Sequence, residues 1–460
     1  MSKRIRLVVA VVLALGVAVV LDRVVAEPSE STSADGGRGL PTGDELSASW
    51  FCAEGTASAD GRADESVLVA NLGAEELEAL VTVMPGGGQP SATSTVAVPA
   101  GTTSRVAVAE ILETPEPGVV VETFGGPAVV EHEVQNDTGF AVGPCARGPE
   151  PRWLFAAGTT TRNSAQYLAL FNPFGEDAIV DVTYLTEAGP EAPEGTQGIV
   201  VPRRSRLVIP VHEQLRREAT VGIDVQARTG RVVAERSMEF AGTEEGLDGL
   251  TLSLGASEHA SEWWIPYGDA DGGSDVRLVL ANPGELPADA DVTALISGTE
   301  AVGEPQQVTI ASQSLAVVDL DQGSPGQSGF AVVARSASEP IVAEQLVGWT
   351  RGRGGAATTL GSVAPADRWA FAAGRLPRDD GGIAVINPGL EPALVSLVAF
   401  DGGAERIIEE VEIAPGERHV FNARNLNEDQ PVAVAADGPV VAARVGITGR
   451  GATLSPGVPS

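Results

Sequence analysis

Four short signals recur in the same order four times along this chain, and that recurrence limits the possible fold more than any other feature. The first is a Trp followed five residues later by Gly: Trp50 and Gly55, Trp153 and Gly158, Trp263 and Gly268, Trp369 and Gly374. The second is an Asn that opens a turn after an apolar run: Asn71-Leu72-Gly73, Asn172-Pro173-Phe174-Gly175, Asn282-Pro283-Gly284 and Asn387-Pro388-Gly389. The third is a turn ahead of another apolar run, starting at Pro99, Pro202, Ala311 and Ala414. The fourth is a Val-rich strand with a polar end: Pro127 to His132, Arg231 to Arg236, Pro340 to Gln345 and Pro439 to Arg444. The Trp-to-Trp steps are 103, 110 and 106 residues, so each copy is long enough to be a small domain.

Within each copy the apolar runs are short, rich in Val, Ile and Leu, and partly alternating, which reads as β-strand. Turn residues separate them about every 8–12 positions. In the Asn-Pro-Gly turns, Pro presets φ and Gly accepts a positive φ at the next position. Only brief helical pieces are expected, such as Glu213–Glu218. About seven short strands in about 100 residues predicts an immunoglobulin-like antiparallel β-sandwich. The expected fold is therefore all-β, a tandem array of four sandwiches; the rival architecture is a propeller-like ring. The expected boundaries are 49–148, 149–258, 259–364 and 365–460. With 43% apolar residues, the chain has enough material to bury real cores.

Ahead of the repeats, Lys3, Arg4 and Arg6 precede an apolar run from Leu7 to Leu21. A basic start followed by an apolar stretch is the pattern of an export signal. Val24-Val25-Ala26 offers a cleavage site, while Asp22 and Arg23 match the flank of a retained anchor, so residues 1–26 read as a signal peptide or a signal anchor. Either one places the bulk of the chain outside the cytoplasm, secreted or tethered to the membrane. Residues 27–48 are acidic and rich in Ser, Gly and Pro, and are expected to form a flexible stalk. The two cysteines, Cys52 and Cys145, can pair in such a compartment. Cys52 takes the core-facing position held elsewhere by Phe155, Ile265 and Phe371, and Cys145 follows the last strand of the first copy. A bridge there would stabilise by roughly 4–5 kcal/mol through chain entropy; two separate buried thiols are the alternative.

A search for chemistry returns little. His132 occupies a repeat position held elsewhere by Arg236, Gln345 and Arg444, a pattern that suits an exposed polar strand site. His212-Glu213 starts like a zinc-protease helix, but position 216 is Arg where a second His is needed. A nucleophile-elbow sequence and a phosphate-cradling glycine loop are both missing. Asp269, Asp271 and Asp275 cluster in a glycine-containing loop, the oxygen-rich setting that calcium favours, with a solvated turn as the plain reading. Trp264 and Tyr267 are candidates for stacking on a glycan or a partner, since alternation turns Trp264 away from Trp263. The net charge of -32 argues against nucleic-acid binding, because the phosphate backbone would be repelled.

The N-terminal segment, the repeated Trp and Asn-Pro-Gly signals and the PVVAE-type strands together resemble a family of uncharacterised exported proteins of high-GC Gram-positive bacteria, known as a domain of unknown function. The resemblance covers about residues 48–460. It implies an envelope location and a repeated fold, and brings no catalytic residues with it. The expectation is thus a non-enzymatic binding or scaffold protein of the cell envelope, touching the membrane through its N-terminus and a protein or glycan through its repeats. The alternatives are a glycan-binding array and a hydrolase with a site between repeats.

Overall fold

The computed structural model describes residues 47–459 apart from 244–245, 269–273, 297–303, 321–328, 350–354, 377–380, 429 and 449–450. The expected signal or anchor, and all but the end of the expected stalk, lie outside the described residues. Among the described residues, no helix is long and apolar enough to cross a membrane.

The chain is almost entirely antiparallel β-structure. The first segment, module 1, holds β1 (Ser47–Cys52), β2 (Asp64–Asn71), β3 (Leu77–Met84), β4 (Ala92–Val98), β5 (Thr103–Ala107), β6 (Gly118–Phe124), β7 (Ala128–Gln135) and β8 (Phe140–Pro144). They make two sheets, β1-β6-β3-β4 and β5-β2-β7-β8. Module 2 holds β9 (Arg152–Gly158), β10 (Ser164–Asn172), β11 (Ala178–Thr186), β12 (Gly189–Glu191), β13 (Ile199–Val201), β14 (Ser205–Pro210), β15 (Val221–Thr229), β16 (Val233–Ala241) and β17 (Asp248–Leu254). Its sheets are β9-β15-β11-β12, with β13 also on β11, and β14-β10-β16-β17.

Module 3 holds β18 (Glu262–Gly268), β19 (Ser274–Asn282), β20 (Ala288–Ile296), β21 (Gln306–Ile310), β22 (Ser314–Asp319), β23 (Phe330–Ser336), β24 (Val342–Trp349) and β25 (Gly355–Leu360). They are ordered β18-β23-β20-β21 and β22-β19-β24-β25. Module 4 holds β26 (Ala366–Phe371), β27 (Gly382–Ile386), β28 (Ala393–Asp401), β29 (Ala404–Ile413), β30 (Arg418–Asn422), β31 (Val432–Thr448), β32 (Gly451–Pro456) and β33 (Val458–Pro459). Here the long β31 serves both sheets, pairing β26 and β28 early and β27 and β32 late.

The strand order is the same in every module, with one difference from an immunoglobulin domain. There the first strand pairs with the second and the seventh with the sixth. Here β1 pairs β6 and β7 pairs β2. The two-sheet architecture is shared; the strand order is not. The expected helix at 213–218 is a single turn, Val211–Gln214, and Arg217 at φ 66° lies outside helical geometry.

The four marker tryptophans are buried. Three of them donate the indole N–H to a backbone carbonyl about 70–80 residues downstream: Trp153 to Val232, Trp263 to Ile341 and Trp369 to Val440. Each links the first strand of its module to the start of the fourth-signal segment. Cys52 and Cys145 form a disulfide, with Cα atoms 4.8 Å apart, that ties β1 to the exit of β8.

The modules close on one another. The last strand of each, β8, β17, β25 and β32, packs beside the next, and β32 returns to β8. Each of these strands has a glycine at, or next to, its first residue, and the four glycines approach one another in turn. A Cβ on Gly139 would stand 2.4 Å from Leu250 N; on Gly249, 3.6 Å from Ala356 N; on Gly355, 3.0 Å from Ala452 N; and on Gly451, 3.6 Å from Phe140 N. Apolar packing follows the same cycle. Ala53, Val120 and Ala146 of module 1 join the core of module 2, and Trp264, Leu295 and Val333 of module 3 join that of module 4. Ala370, Ala372, Leu376 and Val458 of module 4 complete the core of module 1. The arrangement is a ring in the manner of the rival expectation, but it is built of two-sheet sandwiches instead of single-sheet blades.

Candidate functional site

Two polar systems recur around the ring. The first lies in the joints and is built on the fourth signal, whose polar end is buried in all four modules: His132, Arg236, Gln345 and Arg444 are all fully closed to solvent. The expectation of exposed strand sites is therefore corrected. Strand alternation puts these residues on the inner face of their own sandwich, and the next module seals the gap above them. In three modules the residue before them is a carboxylate, Glu131, Glu235 or Glu344, which points the other way and reaches the preceding module. Arg236 of module 2 thus forms a fork with Glu344 of module 3 (Nη2 to Oε1 2.5 Å, Nη1 to Oε2 3.2 Å). Glu344 also accepts from Ala156 N (2.9 Å) and Ala157 N (2.7 Å). Arg444 of module 4 donates to Glu131 of module 1 (2.8 Å) and to Ala373 O (2.7 Å).

The joint between modules 3 and 4 lacks this pair, and its sequence changes in three places together. The base is replaced by Gln345 and the acid by Ala443, and Pro266 stands where Ala53 and Ala156 offer an amide N–H. With the donor gone, a buried carboxylate there would be left without its amide partner.

The joint between modules 1 and 2 carries the most charge. His132 lies between Glu65 (Nδ1 to Oε1, 3.1 Å) and Glu235 (Nε2 to Oε2, 3.3 Å). Glu235 accepts from Ala53 N (2.9 Å) and Glu54 N (2.6 Å), and Arg206 donates to Ala53 O (2.9 Å) and Gly55 O (2.5 Å). Glu54 pairs with Arg62 at 2.9 Å. Burial alone would lower the His132 pKa, but the two carboxylates outweigh it and hold it at about 10. Burial raises the Glu65 pKa, with His132 opposing, and burial lowers that of Arg206. The acids and bases of this joint stand against each other.

The second system is the Asn turn. Each of the four asparagines is buried and pins its loop from inside. Asn71 Nδ2 donates to Glu75 O and Val98 O, Asn172 to Glu176 O and Val201 O, Asn282 to Leu286 O and Ile310 O, and Asn387 to Glu391 O and Ile413 O, all within 2.7–3.2 Å. Each Oδ1 accepts from the N–H two residues on. Three of these rigid loops lift a large apolar side chain into solvent: Phe174 is 45% exposed, Leu286 61% and Leu390 93%. A groove of about 580 Å³ runs beside Phe174, lined by Glu176, Asp177, Thr229 and Arg231.

The residues expected to bind fare differently. Trp264 and Tyr267 are only 5% and 8% exposed. Trp264 does face away from Trp263, as alternation predicts, but it packs into the core of module 4 and under Arg335. Neither ring is open to a sugar. Asp269 and Asp271 lie outside the described residues, while Asp275 accepts from Arg277 at 2.5 Å. The apolar loop tips and the joint carboxylates were missed. The signal for the carboxylates was present in the aligned pairs Glu131-His132, Glu235-Arg236 and Glu344-Gln345.

No curated protein matches the chain. Among solved structures, Thermotoga maritima 1070 aligns at 23% identity over 23% of this chain and 95% of that one, with a TM-score of 0.21. The Anabaena sensory rhodopsin transducer aligns at 22% identity over 20% and 85%, with a TM-score of 0.18. Likenesses this slight carry no argument about fold or activity. Residues 125–418, more than half of the sequence, match the model of the Family of unknown function (DUF5719), and the chain belongs to that family.

Proposed function

We propose that this is a non-enzymatic binding or scaffold protein of the cell envelope: a ring of four modules, immunoglobulin-like in architecture, held outside the cytoplasm through residues 1–26. The observation that carries the reading is the set of asparagine-pinned loops. Rigid backbone with solvent-exposed apolar tips is the form of a recognition surface, because large apolar side chains in water have an unmet driving force to bury. A repeated head-to-tail contact that closes into a ring places equivalent loops on one rim. Acids flank the tips, as Glu176 and Asp177 do Phe174 and Glu391 does Leu390, which favours a protein partner with basic residues around apolar pockets. The disulfide is consistent with an oxidising compartment. In the test, a photo-crosslinking residue is placed at position 390 and, as control, at exposed position 110. A discrete envelope protein captured from 390 alone supports the proposal. Recovery of the chain from the cytosol, or equal capture from both positions, would sink it.

A glycan-binding role is the second reading, now centred on Phe174 and its groove instead of Trp264. Polysaccharide retention that disappears in Phe174→Ser would favour it over the protein partner.

A further inference from the structure

We propose that Cys52, Cys145, His132 and Glu65 form a latent site for a thiophilic divalent cation of the zinc class, available only when the disulfide is reduced. The two sulfurs and an imidazole nitrogen, all buried, lie within 4.8 Å of one another. Glu65 adjoins them through its 3.1 Å contact with His132, and its second oxygen, Oε2, is buried without a partner. The donors come from separate segments of both sheets: Cys52 from β1, Glu65 from β2, His132 from β7 and Cys145 from the exit of β8. Three strands and the residue that follows a fourth therefore bring these donors together inside a single sandwich, Glu65 entering through His132.

The other modules show what this space holds when no such chemistry is present. In modules 2 and 4 an aromatic ring lies under a guanidinium: Phe155 under Arg236 at 5.3 Å and Phe371 under Arg444 at 5.8 Å. Module 1 departs at both positions, with Cys52 for the ring and His132 for the guanidinium. A disulfide accounts for the first change; the second keeps a base beside Glu235 but makes it one that can also ligate a metal. Two thiolates, an imidazole and a carboxylate make the tetrahedral, partly soft donor set that zinc takes, with Zn–S of about 2.3 Å and Zn–N of about 2.0 Å. Calcium, which wants six to eight oxygens, is excluded from such a set.

The chemistry balances with a phosphine as reductant. The S–S bond breaks, phosphorus is oxidised to the phosphine oxide, and water supplies its oxygen and the two thiol protons. Metal binding then displaces both thiol protons and one from the imidazolium, so that neutral His132 is a ligand.

The full chain is reduced with a water-soluble phosphine under anaerobic, metal-free conditions and titrated with cobalt(II) as the spectroscopic probe. The expected result is one cobalt per chain, with thiolate-to-cobalt charge transfer and tetrahedral visible bands. The oxidised chain shows neither. His132→Asn should weaken cobalt binding by more than the roughly 10–100-fold that follows loss of a ligand's hydrogen-bond partner. Zinc should raise the melting temperature of the reduced chain only. A reduced chain that stays folded and gives no charge-transfer band overturns the proposal, as does cobalt binding equal in the Cys52→Ser/Cys145→Ser chain. If reduction unfolds the protein, recovery of its circular dichroism on adding zinc supports the site, and failure to recover overturns it.

Discussion

Arg236 and Glu344 are buried opposite charges, and their value lies in being kept together. Replacing a buried pair by apolar groups is often neutral, whereas removing one partner strands the other, at a cost of about 3–5 kcal/mol. Glu344→Ala should cost that much by equilibrium denaturation, since it strands Arg236 and unpairs Ala156 N and Ala157 N. Adding Arg236→Gln, which copies the Gln345 and Ala443 of the joint between modules 3 and 4, should recover part of the loss. The recovery is incomplete because Ala156 keeps an N–H where Pro266 has none. A double variant no more stable than the single one would refute this coupling. His132 makes a second prediction. Its folded pKa of about 10 exceeds the ordinary value of 6.5, so its bound proton stabilises the fold fully below about pH 6.5. That contribution is lost as pH rises through about 10. The raised pKa of Glu65 acts in the same direction, from just above the usual carboxylate range. Relative to His132→Asn, the wild-type chain should lose stability between pH 7 and 10, by at most about 1.4 kcal/mol per unit for one proton. Parallel pH profiles would contradict it. The sequence made these residues visible as a column but placed them in water, because a polar strand end reads as exposed until its buried partners from distant segments are known.

The elements that were readable in advance are those whose chemistry is local. Asn387-Pro388-Gly389 announces its turn because the Asn side chain bonds to backbone only a few residues on. The tryptophan strands announce themselves because a large ring heading a mostly apolar run, as in WLFAA and WAFAA, has to be inside. The glycine at the start of each last strand, on or beside its first residue, gave no such warning. Its requirement comes from the backbone of another module, and a lone Gly at an apolar run looks like any other turn. Gly139 meets the hardest limit, with Leu250 N only 2.4 Å from where its Cβ would be. Backbone cannot swing aside as a side-chain tip can. Gly139→Ala should therefore push β8 from β17 and cost about 1–3 kcal/mol. Gly126→Ala, which meets nothing within 4 Å, is the matched control, and equal stability of the two in urea would argue against close approach at the axis.

Whether four copies make a rod or a ring was beyond the sequence, since both need the same strands and the same apolar faces. In an open array the end faces meet water and have to be polar, and each internal joint contributes separately. Here the would-be end faces are apolar or charged and buried: Ala370, Ala372 and Leu376 of module 4 lie in the core of module 1, and Glu131 of module 1 holds Arg444 of module 4. That last pair separates the two architectures. In a rod, Glu131 would sit on a free end, where its loss costs almost nothing, as for any exposed carboxylate. In a closed ring it is the equal of Glu344. Glu131→Ala should therefore destabilise the chain by about 3–5 kcal/mol, on the scale of Glu344→Ala. It should do so across the whole molecule, because opening one joint exposes the apolar faces of modules 1 and 4 together. Denaturation followed by tryptophan fluorescence, with one Trp marker per module, reads both the size of the loss and its spread. A loss below about 1 kcal/mol, or a transition confined to modules 1 and 4, would mean that the ends do not depend on each other and that the ring does not close in solution.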